Sequence, residues 1–228
     1  MKMVLGKWMV GVALSACASV SLAAPILWSD AMNTQGPSDV VTFGTLVEAV
    51  NATASAGTTS VNGVGFANVA ALIGDDFSGA LAGGTTGDTG YNALLNTFSY
   101  GGGSSTSIEL ASGLLASGSQ YILQVWYTDL RSCCSGRVMT LSGDGGATVD
   151  VSASGTGQDA GLGQFAIGLF TADSSSQTLN LATNGFSNAH VSGYQVRAVP
   201  SAQVPVPGTL LLFGLGLLGL GMLVRRRG

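Results

Sequence analysis

Between residues 24 and 200 the chain contains no lysine. Its basic residues there are Arg131, Arg137 and Arg197, set against all 12 acidic residues of the sequence, so this stretch carries a net charge of −9. A field of that sign repels phosphate polyanions and argues against nucleic acid as a partner; divalent cations and neutral sugars suit it better. Histidine is nearly missing, with His190 in Asn188-Ala189-His190 the one in the chain. Without a Gly-x-Ser-x-Gly elbow, a Ser-His-Asp relay around it has no support, since serine is a poor nucleophile without a positioned base. Zinc takes three or four N or S ligands, and His190 with Cys133 and Cys134 is too small a set. His190 is expected at a loop edge, hydrogen-bonded to backbone. Charged residues make up 9% of the chain and hydrophobic ones 46%, which excludes a disordered acidic tail of low hydrophobicity.

Glycine, serine, threonine and alanine fill the space that charge leaves. Of the 35 glycines, 27 fall between the two termini, and they punctuate short apolar runs in the manner of strands joined by turns. Thr59 to Phe66 alternates around Asn62-Gly63, a strong hairpin signal. Tyr121 to Thr128 sets Tyr121, Leu123, Val125 and Tyr127 on one face and Ile122, Gln124 and Trp126 on the other. Further strands are expected at Ile26–Trp28, Thr106–Leu110, Val138–Leu141, Ala147–Val151, Gly163–Phe170, Thr178–Leu181 and Val191–Val199. Val40 to Val50 fits strand or helix, Ala67 to Gly90 is loose and Gly-rich, and Tyr91 to Phe98 has Leu94, Leu95 and Phe98 at helical spacing. Regular short strands predict an all-β domain over 24–200, specifically a jelly-roll-like antiparallel β-sandwich.

Few residues in it promise chemistry. Glycoside hydrolysis needs two acids about 5 to 10 Å apart; Glu48, Asp75, Glu109 and Asp129 are candidates, yet turn and strand-edge duty is the commoner role of aspartate. No catalytic residue is assigned and the domain is expected not to be an enzyme. Asp75-Asp76, Asp144-Gly145-Gly146 and Asp150 offer oxygen ligands in Gly-rich loops, so a structural calcium is conceivable, although no EF-hand pattern is present; no other cofactor is expected. The adjacent Cys133 and Cys134 lie in a turn flanked by Arg131 and Arg137. Oxidation can pair them with each other or with another molecule, and neighbouring Cα atoms at ~3.8 Å are closer than disulfides usually require. Either a rigid turn or a redox-sensitive, ligand-facing one fits. Tyr100, Trp126, Tyr127 and Tyr194 are aromatic surfaces on which sugar rings stack when exposed, although strand alternation buries at least half of them.

The two ends are addresses. Met1 to Lys7 carries Lys2 and Lys7, Trp8 to Ala18 is apolar, and Ser21-Leu22-Ala23 presents small residues, so 1–23 reads as a signal peptide cut between Ala23 and Ala24. A competing cut at Leu14-Ser15-Ala16-Cys17 would make Cys17 a lipidation site. At the other end Val204-Pro205-Val206-Pro207-Gly208 leads into a charge-free run over 208–224, the short end of what spans a ~30 Å bilayer core as a helix. Arg225, Arg226 and Arg227 follow, and the positive-inside bias holds them in the cytoplasm with everything before Val204 outside.

This ordered trio of Pro box, Gly/Leu-rich span and Arg cluster, paired with a signal peptide, resembles the PEP-CTERM sorting signal of Gram-negative bacteria, with Val206 where the family name records a Glu. The resemblance covers only the tail, about a tenth of the chain. It implies recognition by the membrane enzyme exosortase and residence in the cytoplasmic membrane facing the periplasm, or at the cell surface after processing, in proteins often linked to exopolysaccharide and biofilm. Within the domain, the succession Val61–Phe66, Tyr91 with Leu94-Leu95, Tyr121–Arg131 with Gln124, Trp126 and Asp129, then Phe165–Asp173 is similar to secreted carbohydrate-binding-like sandwich domains. That similarity implies polysaccharide as a partner without naming binding residues. The expected function is thus an anchored or exosortase-processed surface protein that binds exopolysaccharide. A purely structural or adhesive matrix protein is the first alternative and a polysaccharide hydrolase the second.

Overall fold

The computed structural model describes residues 25–53, 58–156 and 161–200. The expected signal peptide with Cys17, Ala23 and Ala24, and the whole segment from Val204 to Arg227, lie outside the described residues. In chain order the elements are β1 (Leu27–Trp28), β2 (Met32–Asn33), β3 (Thr45–Asn51), β4 (Thr59–Val61), β5 (Val64–Asn68), β6 (Asp75–Ser78), the helix α1 (Thr89–Leu95), β7 (Thr97–Gly101), β8 (Ser105–Leu110), β9 (Gln120–Tyr127), β10 (Val138–Ser142), β11 (Thr148–Ser152), β12 (Gln164–Thr171), β13 (Gln177–Thr183), β14 (Ala189–Val191) and β15 (Gly193–Ala198).

They form a mostly-β sandwich. The larger sheet runs β1-β12-β9-β15-β3-β5-β4 with β2 also on β12, the second runs β11-β10-β13-β8, and a short third runs β14-β7-β6. Leu123 and Val125 of β9 and Val196 of β15 pack with Met139, Leu141, Val149, Val151, Leu179 and Leu181 of the second sheet in one buried cluster. Complete burial of a side chain such as Leu123 is worth roughly 1.5–3 kcal/mol.

The opposite face of the larger sheet is covered too. Trp126 and Phe165 meet Phe66, Tyr91, Leu94 and Leu95, supplied by the hairpin and α1, and Trp126 Nε1 donates to Tyr91 Oη at 2.9 Å. A polar ladder extends that covered face. Gln124 Oε1 accepts from Val41 N and from Gln195 Nε2, and Arg197 donates to the carbonyls of Thr42, Phe43 and Gly44. These bonds pin the segment 41–44, whose carbonyls lack strand partners, onto β9 and β15.

The Asn62-Gly63 hairpin forms as the dipeptide predicts, with φ of 50° and 77° at its two central residues, the doubly positive conformation of a primed turn. Several local expectations differ. β5 pairs with β3 in parallel, because β4 takes the outer edge and the hairpin returns β5 inward, between β4 and β3. The helix stops at Leu95 with Asn96 as its C-cap, so Phe98 belongs to strand β7, whose Thr-Phe-Ser-Tyr run suits a pleated surface. Inside the loose segment 67–90 lies β6, which pairs with β7. The expected strand Val191–Val199 is two strands broken at Ser192, one in the third sheet and one in the larger sheet.

Candidate functional site

One face of the third sheet collects a distinctive set of side chains. Register pairs Phe77 with Phe98, Asp75 with Tyr100 and His190 with Tyr100. Since alternate residues share a face, Asp75, Phe77, Phe98, Tyr100 and His190 stand together. Against them packs the turn that follows β9. Its start is fixed by Leu130 N donating to Ala80 O at 2.7 Å and Asp129 N to Ala153 O at 3.0 Å. Cys134 N and Ser135 N both donate to Arg131 O, and Arg137 N donates to Cys134 O, which curls the turn so that Arg131 and Arg137 come to the same side. Cys133 and Cys134, side by side in it, are joined by a disulfide; Cys134 is buried while Cys133 is exposed. Between the turn and the sheet is a cleft of about 290 Å³ lined by Phe77, Phe98, Tyr100, Arg131, Cys134, Arg137 and Asn188.

Asp129 lies fully buried beneath it. Arg131 holds it bidentately, Nε to Oδ1 at 2.7 Å and Nη2 to Oδ2 at 2.8 Å, the strong geometry for an arginine and a carboxylate. The Arg131 guanidinium also lies 4.0 Å from the Phe77 ring centroid, and its hydrogen bond to Asp129 raises its pKa further. Arg137 is 3.8 Å from Asp129 Oδ2 and 4.5 Å from the Phe186 ring centroid.

His190 is not the loop-edge residue expected. It is buried in β14, stacked between Phe98 at 4.2 Å and Tyr127 at 4.4 Å. Its Nδ1 is 2.7 Å from Arg137 Nη1. A guanidinium has no acceptor, so Nδ1 accepts and the proton of the neutral ring sits on Nε2. Burial first, then the charges of Arg137 and Arg131, push its pKa well below the usual 6.5. His190 is therefore a weak base whose acceptor nitrogen is already occupied.

The remaining sequence candidates are scattered. Trp126, Tyr127 and Tyr194 are buried, leaving Tyr100 of the four aromatics at the cleft. Glu48 Oε2 accepts from Ala111 N at 2.7 Å and Tyr194 Oη at 2.9 Å, a structural clamp between sheets. Glu109 is on an exposed strand position. Asp75 Oδ2 accepts from Tyr100 Oη at 3.1 Å, and Asp150 from Thr140 Oγ1. Among the described residues no three His, Cys, Asp or Glu side chains gather as a metal cage. Phe77, Phe98 and Asn188 were invisible as site residues in the sequence; the pair of arginines around Cys133-Cys134, and Tyr100 among the aromatics, pointed here.

A larger depression of about 420 Å³ lies beside α1, lined by Leu81, Gly83, Gly84, Thr89, Asn92, Ala93 and Asn96. Both of its amide carbonyls are already committed, as Asn92 bonds Thr85 and Thr86 and Asn96 Oδ1 accepts from Leu81 N. The arginine cleft, smaller but chemically unsatisfied, is the better candidate site.

The PEP-CTERM protein-sorting motif matches residues 203–227, the stretch that holds Val204 to Gly208 and Arg225 to Arg227. The chain thus carries the tail of an exosortase substrate, which implies export and either membrane anchoring or cell-surface placement. None of the curated proteins matches the chain. The crystal structure of the ANXUR1 extracellular domain from Arabidopsis thaliana is similar at 11% identity and a TM-score of 0.48, over 75% of this chain and 54% of that one. The chain spans about half the length of that structure.

Proposed function

We propose that the protein is a non-enzymatic, exosortase-processed surface protein whose β-sandwich binds extracellular polysaccharide at the arginine cleft. The reading is supported by the sorting motif at 203–227 together with a cleft that joins aromatic surface to cationic hydrogen-bond donors, the two kinds of group that grip a sugar ring and its substituents. Its volume of about 290 Å³ is at the lower limit of small-ligand pockets, ~300 Å³, the room for one sugar unit of a longer chain. Catalysis is disfavoured by the local chemistry. Asp129 has both carboxylate oxygens taken by Arg131, and His190 has its acceptor nitrogen occupied.

The test is to recover the exported product from the producing bacterium, measure its intact mass, and titrate it with the exopolysaccharide secreted by the same cells. Saturable binding without release of reducing ends, and a mass lacking the tail, are expected. Absence of any polysaccharide binding would leave the structural or adhesive matrix role in its place.

A further inference from the structure

We infer that the cleft is selective for acidic sugars, taking the carboxylate of a uronate residue on Arg137 and Arg131; this rests on the polysaccharide-binding reading and names the sugar class for it. The observation is an imbalance of charge. Buried Asp129 needs a cation, and the bidentate bond from Arg131 supplies it. Arg137 is then a second cation against the same single anion. It stands 3.8 Å from Asp129, outside hydrogen-bond range; the Phe186 ring lies 4.5 Å from its guanidinium, and the hydrogen bond described for its side chain goes to a neutral imidazole. Its Nε is buried with no hydrogen-bond partner among the described residues, and its side chain is only 12% exposed.

A guanidinium so desolvated and so incompletely matched is costly to hold. An incoming anion relieves that cost, which a neutral sugar does not. Asp75, the other acid near the rim, is tied to Tyr100 and forms no ion pair with either arginine among the described residues. Two of the three arginines between residues 24 and 200 converge here, so the cleft offsets its own acids, Asp129 and Asp75, within a domain of net charge −9. That general charge also selects among anions. It disfavours densely charged phosphate chains, whereas a sugar carrying one carboxylate presents a planar anion to the guanidinium fork and a ring face to Tyr100.

The experiment titrates the exported product with tetragalacturonate, with its fully methyl-esterified form, and with neutral dextran and galactan. The acid should bind saturably, at least tenfold more tightly than the ester, and more weakly as sodium chloride is raised. Arg137→Gln should lower affinity for the acid at least tenfold. Should that variant fail to fold, Asn188→Asp puts a negative charge on the cleft wall without touching the ion pair, and it should repel the acid while leaving the ester unaffected. Equal affinity for acid and ester, unchanged affinity in a natively folded variant, or binding of the neutral polymers alone would overturn the inference and leave the polysaccharide reading standing. Binding of none of the four probes or of the cells' own polysaccharide would remove that reading, and this inference with it.

Discussion

Arg137 donates to His190 Nδ1 at 2.7 Å, joining the turn after β9 to strand β14 through a neutral imidazole. The ring cannot take up a proton at Nδ1 without meeting a guanidinium head-on. Burial and that charge together hold its pKa well below 6.5, so the folded protein resists a proton that the unfolded chain accepts.

Acid should therefore destabilise the domain through this residue. The unfolded chain binds more protons below its histidine pKa, so stability is undiminished above pH 6.5 and falls as the pH drops through that value, by up to about 1.4 kcal/mol per unit until the folded pKa is reached. Because the chain has one histidine, His190→Gln, which keeps an acceptor for Arg137, should flatten the melting temperature between pH 6.5 and 5. Parallel pH curves for the two proteins would refute the assignment.

Gly90 tests the packing of α1 by sign. In an exposed helix, Gly→Ala stabilises by about 1 kcal/mol. Here a Cβ at Gly90 would run into the backbone carbonyl of Ser60 in β4, and Gly90 O also accepts from Thr59 Oγ1 at 2.9 Å. Gly90→Ala is expected to destabilise by about 1–3 kcal/mol, measured by chemical denaturation; a gain in stability would show that helix and hairpin are not in this contact.

Of the three arginines among the described residues, Arg197 is the one without an ion pair. Its donors serve the carbonyls of Thr42, Phe43 and Gly44, a fork that lysine cannot reproduce. Both Arg197→Lys and Arg197→Met should cost about 2–4 kcal/mol, with hydrogen exchange rising first at residues 41–44. Full stability in the lysine variant would mean a single charge suffices.

Linking adjacent residues closes almost no loop, so the chain-entropy gain of the Cys133–Cys134 bond is about 1 kcal/mol. Its effect is local, on the curl that brings Arg131 and Arg137 together. Replacing both cysteines by serine should leave the melting temperature within a few degrees of wild type yet weaken tetragalacturonate binding severalfold. A large loss of stability with intact binding would contradict this division.

Period-2 alternation was legible wherever a strand was long. Tyr121 to Tyr127 showed its two faces in the sequence, and both turned out buried, one against the second sheet and the other under Tyr91 and Phe66. Asn62-Gly63 announced its hairpin because only a doubly positive φ turn suits that dipeptide. Short elements were not legible: β6 has four residues between glycines, and Phe98 satisfied helical spacing while obeying a strand. The site was half visible. Arg131, Cys133, Cys134 and Arg137 are neighbours in sequence, but Phe77, Phe98 and Asn188 reach them only through long-range pairing of β6, β7 and β14, and the burial of His190 follows from stacking that no local pattern encodes. Charge was legible as a total but not in its placement, since a net of −9 gave no sign that two arginines would meet over one buried aspartate.

The last described strand, β15, is hydrogen-bonded along its length to β9 on one side and to β3 on the other. Load that reaches the domain along β15 therefore runs down the axis of an interior strand. Its ladders of hydrogen bonds are stretched in shear, many at once, instead of being unzipped one by one as at an edge. A domain loaded in this way yields late.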